Sequence, residues 1–207
     1  MGFLRMGLLD NLGTQFPPIK SDTPHYEAIG RFVTSFAGAE ASVHLLARKL
    51  SGLSDSKARI IFGGTRLSDL ANIVRQVVKV DGLSHDTSSE IESCLTQLGL
   101  ISKKRHNLVH RSTTFFDGKL FVTNLYTSKS AASFEHEVFD VPELSDMQSD
   151  CIHIYLRLHR IAMPESETAR AVIQEREFCD ELLRRPWRYK PRPPKKPGLK
   201  SRATPAR

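Results

Sequence analysis

Ile29, Phe32, Phe36, Ala39, Val43, Leu46 and Leu50 follow one another at alternating spacings of three and four. Only an α-helix brings such positions onto one face, so the spacing predicts a helix of about 27 residues, roughly 40 Å long. Asp22 or Thr23 can cap its start, Pro24 suits a first helical turn, and Gly52 is a natural stop. An apolar seam of this length cannot stand in water and must be covered by other amphipathic elements. The rest of the chain has to supply them.

It does so with more helices. Ala58, Ile60, Ile61 and Phe62 make a short apolar piece that Gly63-Gly64 interrupts. From Thr65 a second seam runs through Leu67, Leu70, Ile73, Val74, Val77 and Val78 to a stop at Asp81-Gly82. Thr87 and Glu90 have the spacing of a capping box, opening a helix with the seam Ile91, Cys94, Leu98, Ile101, Arg105, Leu108. Asp117-Gly118 between the β-rich runs TTFF and KLFVTNLY predicts a hairpin. Residues 127–140 read as loop. Pro142 starts a helix with Leu144, Met147, Cys151, Ile154, Leu158 and Ile161 on its seam, and Pro164 stops it. A more polar last helix is expected over residues 165–183. The pattern is that of an all-α bundle of four to five helices with one small β-hairpin.

Charge divides the chain further. Ten of the 30 Lys and Arg lie in residues 184–207, which hold no Asp or Glu, leaving 20 basic against 23 acidic groups before them. That stretch also carries six of the 11 prolines. Such a composition predicts a disordered or extended arm. As a nucleic-acid arm it would offer Arg184, Arg185, Arg188, Lys190, Arg192, Lys195 and Lys196 to phosphates, with Trp187 and Tyr189 to stack on bases. The alternative is a solubilising tail. The remainder, net acidic, is expected to supply no basic patch of its own. The organisation is thus an N-terminal segment (1–21), a helical domain (22–183) and a basic tail (184–207). The start MGFLRMGLLDNLG reads neither as a secretory signal nor as a myristoylation site, because residue 6 is Met. No run of 18 apolar residues predicts a membrane span. Three scattered cysteines, Cys94, Cys151 and Cys179, form no disulfide or zinc pattern, and a reducing, cytoplasmic setting is the default.

One stretch breaks the seam rule. The third long helix ends in Lys103-Lys104-Arg105-His106-Asn107-Leu108-Val109-His110-Arg111, and Arg105 takes a place on the apolar face between Ile101 and Leu108. A guanidinium there is costly unless it is paired. Glu40, beside Ala39 and Val43 on the first helix, is the candidate partner.

The run Arg105, a polar residue, three more residues, then His110 resembles the signature of the HEPN superfamily, all-helical domains of which many are metal-independent ribonucleases. Its position at the end of a core helix, the hairpin RHNLVHRSTTFFDGKLFV that follows, and an acidic residue on a long first helix (AGAEASVHLL) extend the resemblance over residues 22–183. It implies a HEPN-like bundle, RNA as substrate, no cofactor, and a homodimer in which two motifs face each other. It also implies a toxin or defence setting, with an antitoxin or regulatory protein as partner. Cleavage would proceed by attack of the 2′-hydroxyl, with His110 in proton transfer and Arg105 stabilising the phosphate. His106 and Asn107 would orient the site or the RNA backbone, and Glu40 would hold Arg105 or His110. Five residues turn an ideal helix through about 500°, so Arg105 and His110 point roughly 140° apart, and a curled Arg, an unwound last turn or a second chain would have to bring them together.

The other reading is a non-catalytic helical module that binds RNA or protein. His106 and His110, at i and i+4, could share a metal, but no third ligand is evident and residue 107 is Asn where a zincin has Glu. His153 and His159 read as ordinary helix-surface or boundary residues. Cys94 and Cys151 read as small core residues. Gly63-Gly64 lacks the strand and the Lys-Ser/Thr of a phosphate cradle.

Overall fold

A computed structural model describes residues 23–116, 119–124, 127–129, 133, 135–167, 169–170 and 184–191. Among them five helices and three strands run in the order α1 (Thr23–Leu50), α2 (Asp55–Phe62), α3 (Leu67–Asp81), α4 (His85–His110), β1 (Ser112–Phe116), β2 (Lys119–Thr123), β3 (His136–Phe139) and α5 (Val141–Ala162). The protein is mainly helical, with one small antiparallel sheet.

The first seam becomes the centre of the molecule. Phe32, Phe36, Ala39, Val43 and Leu46 of α1 are buried, and Ile29 and Leu50 are partly covered. α5 lies along α1 in the most extensive helix contact, burying Leu144, Met147, Cys151, Ile154 and Leu158. α3 and α2 cover other parts of α1, and α4 packs on α5. All five apolar residues of the α4 seam are buried. α2 covers the core only with Ala58 and Phe62, while Ile60 and Ile61 face outward.

The ends follow local chemistry. Gly52 and Gly82 take the left-handed backbone that terminates α1 and α3, with φ of 63° and 62°. Asp140 caps α5 by accepting the Glu143 N–H at 2.8 Å, with Pro142 in the first turn. α4 opens earlier than the capping-box spacing suggests. Ser84 is its cap, accepting from the Thr87 N–H, and Glu90 instead meets Arg160 of α5 at 2.8 Å.

The expected hairpin forms, with Phe116 opposite Lys119 and Ser112 opposite Thr123; Asp117 and Gly118 lie outside the described residues. The expected loop at 127–140 is corrected. Its end is a third strand, β3, pairing Leu120 with Phe139 and Thr123 with His136. Of the last helix, residues 167 and 169–170 are helical, and 171–183 lie outside the described residues, as do 1–22.

Candidate functional site at the end of α4

The last two turns of α4 present their side chains to three surroundings. Lys104, Asn107 and Arg111 repeat at three and four residues and so share one face. That face meets acids on and next to β3. Lys104 pairs with Glu137, and its Nζ also lies 3.3 Å from Glu143 Oε1. Asn107 Nδ2 donates to Glu137 Oε2 at 3.1 Å, and Arg111 donates to Glu135 at 2.8 Å. Glu135 and Glu137 are two residues apart, the period that places strand side chains on one face. Lys104 also stands over the Phe139 ring, 5.3 Å from its centre. Burial alone would lower the Lys104 pKa, but the hydrogen bond and charge of Glu137, with the charge of Glu143, outweigh it and hold it above its ordinary value. Two cations of the motif stretch are therefore neutralised within the fold.

Arg105 lies on another face. It is half-buried, with its guanidinium carbon 5.6 Å from the centre of the Phe36 ring on α1. Its Nε is buried and has no hydrogen-bond partner among the described residues. The expected pairing with Glu40 is corrected: among the described residues no ion pair or hydrogen bond joins Glu40 to Arg105 or to His110. An aromatic face, one turn away from Glu40 on the same helix, takes the cation instead.

His106 and His110 occupy a third, exposed face, with ring centres 4.8 Å apart. Exposed Val109 adjoins them. The fold therefore brings His106 and His110 together, and both are exposed. It does not bring Arg105 against His110 within one chain: the helix runs regularly to His110, its last turn intact. Nor does Asn107 turn toward Arg105, because Glu137 holds it. Among the described residues no group of three or more His, Cys, Asp or Glu is placed to hold a metal ion.

The basic tail departs most from expectation. Residues 184–191 are not a loose arm but a strap docked on α4 and α5. Asp150, fully buried on α5, accepts the Arg188 N–H on Oδ1 and the Tyr189 N–H on Oδ2, both at 2.9 Å. Gln97 of α4 donates to Asp150 Oδ2 at 2.8 Å and to the Tyr189 carbonyl at 2.9 Å. Tyr189 is 3% exposed. Trp187 donates its indole N–H to Ser93 at 3.0 Å and lies under the Arg157 guanidinium, 4.6 Å away. The Tyr189 ring is thus closed to bases, and Arg157 stands over the partly buried Trp187 ring. Arg157 also donates to the Arg185 carbonyl at 3.2 Å. Arg184, Arg188 and Lys190 remain exposed. Arg192, Lys195 and Lys196 lie outside the described residues.

Burial raises the Asp150 pKa, and the three N–H donors only partly oppose it. Burial, then the charges of Arg157 and Arg188, lowers that of His153. Cys94 and Cys151 are buried, and burial pushes both thiols up to about 12. A cleft of about 630 Å³ joins Arg157 and Arg160 of the body to Arg184 of the basic stretch; Asp86 and Glu90, the latter paired with Arg160, also line it.

Sequence reasoning missed Asp150, Gln97 and Glu137. Asp150 stands three residues after Met147, and Gln97 three after Cys94, both at core spacing. Polar residues at buried positions were therefore the available signal, the same one that marked Arg105. Among the described residues no helix is long and apolar enough to cross a membrane.

No family model, curated protein or solved structure matches the chain.

Proposed function

We propose that this protein is a metal-independent endoribonuclease of HEPN type, with RNA as its substrate and the end of α4 as its site. The observation that carries the reading is the division of labour along Lys103–Arg111. Lys104 and Arg111 are consumed by carboxylates, whereas among the described residues Arg105, His106 and His110 have no acidic partner. An arginine held over Phe36 with an unused Nε, together with two exposed imidazoles, suits an anion and a proton transfer. His110 takes the proton of the 2′-hydroxyl or returns one to the leaving oxygen, a task to which an imidazole is suited. Arg105 meets the charge that gathers on the phosphate oxygens. His106 lies beside His110 to orient it or the RNA backbone. Asn107 instead fixes the turn to Glu137.

Because Arg105 and His110 face apart in one chain, the reading includes a homodimer whose second copy completes the site. A toxin or defence role, with an antitoxin or other regulatory protein as partner, belongs to the same proposal, as does a cytoplasmic location. The separation of Arg105 from His110 also suits the rival reading, a helical module that binds RNA or protein without cleaving it. Purified protein incubated with single-stranded RNA decides between them. Cleavage in the presence of chelator, leaving a 2′,3′-cyclic phosphate and lost in Arg105→Ala and His110→Ala while the helical circular dichroism survives, is the expected result. Wild-type protein that binds RNA and leaves it intact would establish the binding module.

A further inference from the structure

α3 packs more extensively on α1 than on α4. Between α3 and α4 lie two open hollows, of about 450 and 420 Å³, that share Arg75. Leu67 and Lys103 border the first, Lys79 and Ser88 the second, so the two helices run antiparallel along one groove. It follows residues 67–79 of α3 and 88–103 of α4, roughly 20 Å of helix. The floor is apolar: Ala71, Ile91, Leu95 and Leu98 are buried at its base, and Leu67 and Val78 are partly covered. Among the described residues no aromatic ring lines it, so it gives bases nothing to stack on. The lining cations are Arg75, Lys79 and Lys103, and the lining acid is Glu92, held by Arg75 at 2.7 Å. Three cations against one acid leave an excess of two positive charges, with Lys79 and Lys103 exposed.

We propose that this groove is the docking site for an amphipathic helix of a partner protein, its apolar side on the Leu67–Leu98 floor and its acidic residues against Lys79 and Lys103. Such a helix presents anchors at i, i+3, i+4 and i+7, and three to four of its turns fill roughly 20 Å. The excess positive charge selects acidic flanks over basic ones. Gly99 supports the close approach this needs. It lies exposed within α4 and lines the groove, and a Cβ added there would meet no heavy atom within 4 Å. The packing of this chain therefore does not require a glycine, which destabilises a helix interior relative to alanine, whereas bare backbone lets another chain come near. Neither Arg105, His106 nor His110 lines the groove, so the inference does not rest on the ribonuclease reading.

The test uses the full-length protein and two fluorescein-labelled helical peptides of about 15 residues, long enough for the groove. Both carry leucines at the anchor spacing; glutamates flank them in one peptide and lysines in the other. The glutamate peptide is expected to bind, and the lysine peptide to bind at least about tenfold more weakly at low salt. Gly99→Leu places a better helix former in open space, so it is expected to fold while filling the groove. It should weaken the glutamate peptide by about tenfold or more, as a clash at a buried contact does. Lys79→Glu combined with Lys103→Glu changes only exposed positions and should reverse the preference between the peptides. A glutamate peptide that does not bind, equal binding of both peptides, or unaltered binding by Gly99→Leu overturns the proposal. Weakened binding of a labelled oligouridine by Gly99→Leu, with no peptide bound by the wild type, would make the groove an RNA surface. A halved mass of Gly99→Leu in light scattering would make its occupant a second copy of this chain.

Discussion

Arg105 rests on Phe36 and not on Glu40, although the two stand one turn apart on α1. Helical periodicity tells which face of α4 carries the arginine. It cannot tell which rung of the neighbouring helix lies opposite, because that depends on the relative shift of two helices and not on either sequence alone. The choice has measurable consequences. Phe36 is 3% exposed, and Phe36→Ala is expected to cost about 3–5 kcal/mol in denaturant unfolding. Glu40→Gln should lie within about 0.5 kcal/mol of wild type; an equal cost at both positions would restore the ion pair.

His153 gives the residue scale a pH dependence. It is buried, and burial with the neighbouring charges of Arg157 on α5 and Arg188 on the strap holds its folded pKa below the ordinary 6.5. The unfolded chain thus takes up the proton first as pH falls. Its contribution to stability is present above about pH 6.5 and is lost as pH drops through the folded value. The Asp150 shift has the opposite sense. A raised carboxylate pKa contributes stability at pH below its ordinary 3.8, lost as pH rises through the folded value, so it opposes the His153 slope wherever the two windows overlap. Melting temperature should therefore fall between pH 7.5 and 5.5, and His153→Leu should flatten that slope. An identical slope in the variant would assign the loss to other groups.

At the scale of elements, α1, α3, α4 and α5 were legible because their apolar seams run for many residues at helical spacing. β3 was not. It has four residues, His136-Glu137-Val138-Phe139, two of them polar, and its identity comes from pairing with β2 rather than from its own composition. The same strand then organises the site. Glu137 binds Lys104 and Asn107 at a half-buried position, whereas Glu135 binds Arg111 at the surface. Glu137→Ala would strip Lys104 of one of its two carboxylates, and its side chain is only 15% exposed. A loss of about 1–3 kcal/mol is expected. Glu135→Ala removes an exposed pair worth about 0–1 kcal/mol. Comparable losses in urea titrations of the two variants would show that β3 does not lock the end of α4.

At the scale of the whole molecule, composition misled about where the basic stretch belongs, because a sum over residues carries no positions. Arg184 lines one cleft with Arg157, Arg160, Asp86 and Glu90 of the body. The first residues of the basic tail belong to the fold, since a single carboxylate at core spacing on α5 captures them. Arg105 was legible as an exception to its seam. The geometry that separates it from His110 follows from a helix that stays regular to its end. That separation makes the proposed site a property of two chains, and complementation tests it. In a two-fold dimer whose sites each take Arg105 from one chain and His110 from the other, Arg105→Ala and His110→Ala are both inactive alone. Mixed and allowed to exchange in equal amounts, half of the dimers are heterodimers. In each of those, one site of two draws its arginine from the His110→Ala chain and its histidine from the Arg105→Ala chain. About a quarter of the wild-type cleavage rate per chain should return on this symmetry, and light scattering should report about twice 23.3 kDa. Inactivity of the mixture, with subunit exchange demonstrated by differently tagged chains, would place both residues of a working site in one chain and require the end of α4 to rearrange when RNA binds.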